Sequence, residues 1–438
     1  MIKANRYIVY YSLIALLLNS VILLLLSNKI SVVCIFLILN NFIHIKFKED
    51  SNLLILFFNI GIIICIFFYL YWIEFYGNSY YLGRKSDDWQ YDFYWTEGFI
   101  EKYGINLSKI DEHLNSIEPN LGFLHNSKGY VAFIIILRWL SSFFDGYHTL
   151  IPRIVNIFFL LLTAIYSSRI SFVYSKSNKI RAITLLSIFF YPVLLFNSVH
   201  VFRDSIITFI LVYIFYLLIN PQKKNAATYI VIVSLLFVLF NFRVESAIIT
   251  IFMIIILHLK SSFRMILFAL IIFFIIGLII FREHFDNLFR LVDYYSQFNA
   301  ERMGAIGGKI FSLPILIGLI PRIIYLIFTP VPNFTSFHQL YTSISAILQI
   351  ISFPFLFWGI LKNKIDSHLL ITFLMFFIGV AISTATFRHV MMYLPFGIIA
   401  TIISYNTNTV RFLSNRYLLT IYCLFIVFSC SIFIALIY

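Results

Sequence analysis

Charged residues are scarce in this sequence. Asp, Glu, Lys and Arg make up 12% of its 438 residues, and only 19 of these residues are acidic. Soluble domains carry roughly 25% charged residues, so an ordinary water-soluble fold is excluded. Apolar residues account for 61% of the chain, with 51 Phe and 28 Tyr, and the mean hydropathy is +0.94. The bilayer is therefore the expected solvent of this protein.

Cysteine is rare as well. The four cysteines lie inside apolar runs and lack the spacing of metal ligands, which predicts buried apolar residues rather than ligands. In lipid, every backbone polar group must be satisfied internally, which leaves helices or a closed barrel. The long apolar runs lack the alternation of barrel strands. The sequence therefore predicts an all-α integral membrane protein, with a single polytopic domain over residues 1–438.

Successive apolar runs predict about thirteen transmembrane helices. The first follows Lys3 and Arg6 and is interpreted as a retained span rather than a cleaved signal sequence. Two further stretches, 130–144 and 310–329, carry an arginine in their middles and are expected to lie at the membrane surface. The predicted spans lie near residues 7–26, 30–45, 53–73, 151–169, 182–201, 205–219, 226–241, 246–259, 265–281, 341–361, 369–386, 389–405 and 418–438.

The basic residues orient these spans, because short cytoplasmic loops are enriched in Lys and Arg. With a cytoplasmic N-terminus, half of the 32 basic residues fall in short cytoplasmic loops, together with only Glu49, Asp50 and Asp366 as acids. The net charge of +13 is thus interpreted as topology, and no nucleic-acid partner is expected. This orientation leaves two large external segments, at about 74–150 and 282–339, that contain the surface helices.

The first external segment contains an acidic, aromatic stretch that we name the acidic segment (residues 86–92). Asp87, Asp88 and Asp92 lie there beside Tyr91. Carboxylates so close together could supply a general base or ligate a divalent metal, and aromatic rings could stack on sugars. No cofactor is certain on this basis, and a divalent metal stays open. The plainer alternative is a hydrated acidic loop with interfacial aromatic residues.

Two predicted external hairpins carry arginine next to an acid. Arg203 and Asp204 lie at the first, and Arg243 and Glu245 lie at the second, 40 residues further on. The two arginines are expected to converge, and guanidinium groups suit bidentate binding of phosphate. Structural alternatives are a helix cap at Asp204 and an ion pair between Arg243 and Glu245.

A late cluster completes the candidates. It combines Arg322, His338, Arg388 and His389. A snorkelling arginine and a surface histidine are the structural alternatives. In the predicted topology, all four clusters fall on the external face. A face rich in arginine, acid and aromatic residues suits an anionic, lipid-linked saccharide as substrate.

These features resemble the polytopic glycosyltransferases of the GT-C superfamily. The resemblance rests on the acidic segment, the surface helix after it, the Arg203-Asp204 pair and the arginine at 388 that begins a late span. It is one of pattern and hydropathy over roughly residues 53–405. The resemblance implies a polyprenyl-phosphate or polyprenyl-diphosphate donor and an inverting transfer. It nominates Asp88 or Asp87 as the catalytic base, with Asp204 as a second acid.

The chain is also similar to the O-antigen and capsule polymerases of the Wzy type, in length, in Phe and Ile content and in its arginine-bearing external loops. This resemblance implies that Arg203, Arg243, Arg322 and Arg388 hold the diphosphate of an undecaprenyl-linked oligosaccharide. It also implies a chain-length regulator as a partner.

The expected function is glycosyl transfer in lipopolysaccharide or capsule assembly at the bacterial inner membrane. Polymerase is the first expectation and a GT-C transferase is the second. From another class, a lipid-linked saccharide flippase is weighed against these two. Transporters place polar residues and broken helices near the bilayer midplane, often in inverted repeats. The sequence shows modest mid-span polarity, as at Asn59, and no such repeat.

Overall fold

The computed structural model describes twelve stretches of the chain, and every regular element in them is helical. The predicted spans 265–281 and 418–438, and most of the predicted external segment 282–339, lie outside the described residues. The described residues are 6–48, 50–81, 83, 86–117, 128–220, 225–258, 309–310, 313, 315–329, 335–362, 364–383 and 388–414.

The described helices follow the predicted apolar runs closely. They are, in chain order, α1 (Arg6–Ser27), α2 (Ile30–Lys46), α3 (Ser51–Tyr76), α4 (Asp87–Trp89), α5 (Phe99–Tyr103), α6 (Ile110–Ile117), α7 (Lys128–Ser142), α8 (Leu150–Ser175), α9 (Asn178–Phe189), α10 (Pro192–Ser198), α11 (Asp204–Ile219), α12 (Ala226–Phe242), α13 (Val244–His258), α14 (Ile315–Ile327), α15 (Phe337–Leu361), α16 (Ser367–Ser383) and α17 (Leu394–Ser414). The chain divides into two compact units. Unit 1 comprises Met1–Tyr166 and Ile188–Ala247, and unit 2 comprises Ser167–Ser187 and Ile248–Tyr438.

Four of the described helices, α1, α3, α8 and α15, are long and apolar enough to cross a bilayer. The bent pair α9 and α10 makes a fifth candidate, and seven other described helices contain apolar stretches of 10–17 residues. The prediction of an all-helical chain is thus confirmed for the described part, and several of its helices could span a membrane. This is consistent with a multi-pass membrane protein, and the count of about thirteen spans stays a prediction.

One predicted span, 182–201, is not a single straight helix. It is broken into α9 and α10, which meet at an angle of 52°. Pro192 occupies the first turn of α10, and Tyr191 before it has extended backbone angles. A proline lacks the N–H that would continue the helix, and it disfavours helical geometry in the residue before it. The break therefore follows directly from the sequence Tyr191-Pro192.

Buried asparagines join the first three helices of unit 1. The side-chain amide of Asn19 in α1 donates to the Asn59 side chain in α3 over 2.8 Å. Asn59 in turn donates to the Asn40 side chain in α2 over 3.2 Å. All three side chains are buried. Hydrogen bonds of this kind between apolar helices contribute about 0.6–2 kcal/mol each, so the Asn59 noted in the sequence serves helix association.

The turn between α1 and α2 anchors the loop that precedes α8. The Asp145 carboxylate accepts hydrogen bonds from the backbone N–H groups of Ile30 and Ser31, and Lys29 donates to the Asp145 carbonyl oxygen. The hydroxyl of Ser31 donates to the Gly146 carbonyl oxygen over 2.6 Å. Gly146 has a φ of 103°, a conformation that favours glycine. These contacts hold the two residues that precede Tyr147 in place.

Unit 2 packs its late helices through close polar contacts. The Tyr393 hydroxyl donates to the Leu326 carbonyl oxygen in α14 over 3.2 Å. The Gln349 side chain in α15 donates to the Thr329 carbonyl oxygen over 2.9 Å. A Cβ atom at Gly359 would lie 1.9 Å from the Ser404 hydroxyl. Only glycine therefore permits the close approach of α15 to α17.

Candidate functional site

The acidic segment folds into a helical turn that continues as a π-helix. The Ser86 hydroxyl accepts a hydrogen bond from the Trp89 N–H and so caps α4. The π-helix covers Gln90–Tyr94, and such wide turns occur frequently at functional sites. Asp88 and Asp92 are both buried by this geometry, whereas Asp87 is half-buried in the first turn.

Asp88 is enclosed by three donors. Its carboxylate accepts hydrogen bonds from the backbone N–H groups of Tyr81 and Val201, each over 3.0 Å. The guanidinium of Arg153 forms an ion pair with it at 3.4 Å, and both side chains are 0% exposed. Burial raises the pKa of Asp88, and the charge of Arg153 and the two N–H groups act in the opposite direction. Asp88 thus ties the acidic segment to α8 and to the α10–α11 turn.

Arg153 is a site residue that the sequence analysis missed. It lies in the first turn of α8 and also donates to the carbonyl oxygens of Ser79 over 2.6 Å and Val199 over 3.3 Å. One guanidinium therefore joins the end of α3, the acidic segment and the α10–α11 turn. The available signal was an arginine inside the predicted span 151–169, since a charge in an apolar span is costly and usually has a role.

A buried histidine supports the α10–α11 turn. Nε2 of His200 accepts a hydrogen bond from the Trp72 indole N–H over 2.8 Å, and Nδ1 lies 2.6 Å from the Phe196 carbonyl oxygen. Because Nε2 accepts, the proton resides on Nδ1 and the ring is neutral. The Asn156 side chain donates to the carbonyl oxygens of His200 and Phe202 over 2.7 and 2.9 Å. The α10–α11 turn, which carries Arg203, is therefore held by hydrogen bonds from side chains of α3 and α8.

The two arginine hairpins meet in unit 1, as their sequence positions predicted. Arg203 donates to the Phe242 carbonyl oxygen over 2.7 Å. Arg243 pairs with the buried Asp204 carboxylate at 3.4 Å and with Glu245 at 3.9 Å. Asp204 lies in the first turn of α11, where an acidic residue is favourable, but it is not the N-cap residue. The N-cap position of α11 is Arg203, and no side chain caps it, because the Asp204 carboxylate is directed to Arg243 instead.

Helix α7 brings the acidic segment and the second hairpin together. A Cβ atom at Gly129 would lie 2.8 Å from the Asn241 carbonyl oxygen, so the two backbones touch there. The ring of Tyr130 packs edge-on against Tyr91 at 5.0 Å and against Phe242 at 5.9 Å. Tyr91, predicted to contact a saccharide, is therefore buried beneath α7. Three of the four predicted clusters thus lie together in unit 1.

The Asp92 carboxylate is contacted by side-chain hydroxyl groups, and the sequence did not indicate these partners. Its carboxylate accepts a hydrogen bond from the Tyr80 hydroxyl over 2.9 Å and another from the Tyr147 hydroxyl. The guanidinium of Arg138 donates to the Asp92 carbonyl oxygen over 2.5 Å and lies 4.2 Å above the Tyr147 ring. His148 follows, and its pKa is lowered to about 4 by burial.

The fourth cluster lies in unit 2. Arg322 is buried and donates to the carbonyl oxygens of Leu313 over 3.1 Å and Ile382 over 3.4 Å. His338 is buried at the start of α15, and its Nδ1 lies 3.0 Å from the Ser336 hydroxyl. The half-buried Arg388 begins the short helical turn of the buried His389.

The described residues contain no group of three or more His, Cys, Asp or Glu side chains that could hold a metal ion. Within the acidic segment, the carboxylate oxygens of Asp88 and Asp92 accept from N–H and O–H donors on different parts of unit 1. The metal site considered for the acidic segment is therefore unsupported in the described part of the chain.

No protein-family model, curated protein or solved structure matches this chain. Its class is therefore defined by the fold and the site. In the described part it is an all-helical protein with helices that could span a membrane. At one end of unit 1, arginines and carboxylates from the acidic segment, α8 and the two hairpins are joined by direct contacts.

Proposed function

We propose that the protein is a membrane glycosyltransferase that acts on undecaprenyl-linked saccharides at the external face of the bacterial inner membrane. More specifically, we propose a polymerase of O-antigen or capsular repeat units. The observation that carries this proposal is the meeting of two arginine hairpins with the acidic segment in unit 1. Arg203 contacts the second hairpin, Arg243 contacts Asp204, and Asp88 contacts the α10–α11 turn at Val201.

The arginines supply the anion-binding part of this function. Arg203 is half-buried, and its guanidinium is held against the second hairpin. Arg243 contacts its two carboxylates at 3.4 and 3.9 Å, which is longer than the 2.7–2.9 Å typical of a tight charged hydrogen bond. A lipid diphosphate offers stronger acceptors at shorter range. In this proposal, the two guanidinium groups stabilise the negative charge that develops on the departing phosphate.

The acidic residues supply the proton acceptor. Glycosyl transfer at an anomeric carbon requires a base that takes the proton of the acceptor hydroxyl. The sequence assigned this role to Asp88 and Asp87, with Asp204 second, and these assignments stay predictions. The structure adds that Asp88 and Asp204 are both buried and paired with arginine. A positioning role for these two pairs is therefore part of the proposal.

The remaining candidates are proposed to contact the lipid phosphate or the saccharide. In unit 1 these are Glu245, whose side chain is 42% exposed, and Tyr91. In unit 2 they are Arg322, His338, Arg388 and His389. A guanidinium buried among carbonyl oxygens, as at Arg322, keeps its full positive charge and can attract an anion.

One observation favours a single-sugar GT-C transferase as the second candidate. Trp89 in the acidic segment stacks on Tyr94 at 5.2 Å and on Phe93 at 6.0 Å. A stacked aromatic group beside carboxylates suits recognition of one sugar ring.

The bent pair α9 and α10 is the observation that favours the flippase alternative, because transporters use broken helices.

The test is a gel profile of surface polysaccharide from a strain that lacks the gene, with and without a plasmid copy. Loss of the long ladder with a single repeat unit retained is the result expected for a polymerase. A repeat unit that lacks one sugar indicates the transferase. An unchanged profile contradicts the proposal and leaves transport of another cargo as the working alternative.

Access to the site separates enzyme from flippase. Single cysteines at positions 87 and 203, where both native side chains are half-buried, report whether a membrane-impermeant thiol reagent reaches them from outside. An enzyme that works at the external face exposes both positions to a reagent added outside and never to one that is confined to the cytoplasmic side. Positions that react from both sides in turn indicate a transporter, whereas shielding by bound substrate is expected of either.

A further inference from the structure

Asp92 is a buried carboxylate whose charge has no ion pair within the described part of the chain. The side chain is 1% exposed, and its hydrogen bonds come from two neutral phenol groups, those of Tyr80 and Tyr147. Burying a charge is costly, and buried carboxylates are normally paired with a cation. A carboxylate buried without a cationic partner is a candidate for chemistry rather than for stability.

Tyr147 is one of the two partly exposed residues that donate to this carboxylate. Its side chain is half-buried, whereas Asp92 is fully enclosed. Burial, followed by the charge of Asp92, raises the pKa of Tyr147 well above its ordinary value. The phenol therefore keeps its proton at neutral pH and donates it to Asp92. A hydroxyl group that donates to a carboxylate can pass its proton to that carboxylate while it accepts another from a second hydroxyl group.

Arg138 fixes Tyr147 and the main chain of Asp92 without forming an ion pair with the Asp92 carboxylate. Its guanidinium lies 4.2 Å above the Tyr147 ring and donates to the main-chain carbonyl oxygen of Asp92. Its Nε is buried and has no hydrogen-bond partner among the described residues. Arg138 was noted in the sequence only as a charge in the middle of a surface helix. The structure shows it holding the ring of Tyr147 and the backbone of Asp92.

Asp88 offers a clear contrast within the same segment. One cation and two backbone N–H groups surround it, and they come from three separate parts of unit 1. Removing a carboxylate so placed disturbs the fold of all three. The partners of the Asp92 carboxylate are neutral hydroxyl groups, and the hydroxyl of an acceptor sugar is a donor of the same kind.

We infer that Asp92, reached through the Tyr147 hydroxyl, takes the proton of the acceptor sugar in the transfer reaction. This inference rests on the proposed function. The acceptor hydroxyl gives its proton to the Tyr147 oxygen as Tyr147 gives its own proton to Asp92. The acceptor oxygen bonds to the anomeric carbon, and the bond from that carbon to the phosphate oxygen breaks. The electron pair leaves with the lipid phosphate, and Asp88 and Arg153 are positioning residues.

The experiment uses membranes from the deletion strain that carry a tagged plasmid copy of the full chain. Chain extension is measured against the concentration of added undecaprenyl-linked repeat unit, and the amount of protein is measured by immunoblot. We expect Asp92→Asn to lower turnover by about 100-fold or more, the range of general-base catalysis, with KM changed by less than about twofold. Glu97→Gln, an exposed acid five residues on, is the matched control and should behave as wild type.

Tyr147→Phe tests the relay separately. It keeps the ring against Arg138 but removes the hydroxyl, and we expect turnover to fall by about tenfold or more because a relay step is lost. Wild-type turnover by Asp92→Asn overturns the inference and leaves the proposed function standing. An unchanged polysaccharide profile in the deletion strain removes the proposed function and this inference with it.

Asp92→Glu decides the matter if Asp92→Asn does not accumulate in the membrane. The glutamate keeps the charge and its reach to the phenols, but it displaces the carboxylate by one methylene. An accumulated variant with turnover lowered by about tenfold or more supports the inference, since proton transfer depends on placement within about 1 Å. Unchanged turnover of Asp92→Glu overturns it.

Discussion

Asp88 and Asp92 lie in the same short segment, and both are buried, but their charges are held in different ways. Asp88 pairs with Arg153 and accepts from two backbone N–H groups. Asp92 accepts from the hydroxyl groups of Tyr80 and Tyr147. One carboxylate is thus fixed by a cation and by main chain, whereas the other is fixed by side chains that are themselves partly exposed.

This difference separates a carboxylate that stabilises the fold from one that is available for catalysis. A buried ion pair with backbone partners loses a great deal when one member is removed, because the other charge is left uncompensated. Neutral donors around a carboxylate bring no opposite charge to it, so no second charge is stranded when one of them is removed. The acidic segment therefore contains one residue suited to holding the site together and one suited to working in it. The largest effects on stability are expected at Asp88, and the largest effects on turnover are expected at Asp92.

Arg153→Gln is predicted to have the largest effect on stability. The change leaves the Asp88 carboxylate buried without its cation, and breaking such a pair costs about 3–5 kcal/mol in the free energy of unfolding. The double variant Asp88→Asn, Arg153→Gln should lose much less than the sum of the two single variants, because no uncompensated charge remains. Thermal unfolding of the purified protein in detergent, with membrane yield, is the measurement.

The exposed pair of Lys109 and Glu112 is the matched control for this prediction. These residues are 2.6 Å apart, with side chains 46% and 55% exposed. Lys109→Gln should leave the unfolding temperature unchanged, since exposed pairs contribute little. An Arg153→Gln variant that unfolds at the wild-type temperature would show that the buried pair is not what holds the acidic segment.

Tyr80→Phe is predicted to have an intermediate effect at the second carboxylate. It removes one of the two phenol bonds to Asp92, and a hydrogen bond to a charged group contributes about 1.5–3 kcal/mol. Tyr103→Phe removes a longer bond of 3.4 Å to the exposed Glu112 and serves as its control. If both variants unfold like wild type, the phenols do not stabilise the Asp92 charge, and its burial needs another explanation.

The sequence predicted those parts of the site that depend on residues close together along the chain. Arg203 with Asp204 and Arg243 with Glu245 flank tight connections between apolar runs, so their hairpins were expected to meet, and they do. It did not predict Arg153, because its partner Asp88 lies 65 residues away and the pairing is set by the packing of α8.

The same limit applies to the tyrosines around Asp92. Tyr147 lies 55 residues from its partner, and Tyr80 is one of 28 tyrosines with no local mark of a role. The apolar pattern gave the helices well, since hydrophobic runs are local. The break before Pro192 was readable from the proline, but the hydropathy of residues 182–201 concealed it. Only the structure reveals the polar contacts between segments that lie far apart in the sequence.

The last prediction concerns pH and the loop beside Asp92. Burial lowers the pKa of His148 from 6.5 to about 4, so its ring is neutral in the folded protein at neutral pH. Between these two values the unfolded chain binds a proton that the folded chain does not, and stability therefore rises with pH. The contribution is fully present above about pH 6.5 and is lost as the pH falls toward 4.

His148→Gln removes this titrating group and should flatten the dependence of the unfolding temperature on pH between about 6.5 and 4, while the curve above pH 7 keeps its shape. The ring lies 5.9 Å from that of Tyr69 in α3, so a small uniform loss of packing is expected across the whole range. A slope as steep as that of wild type would assign the acid sensitivity elsewhere.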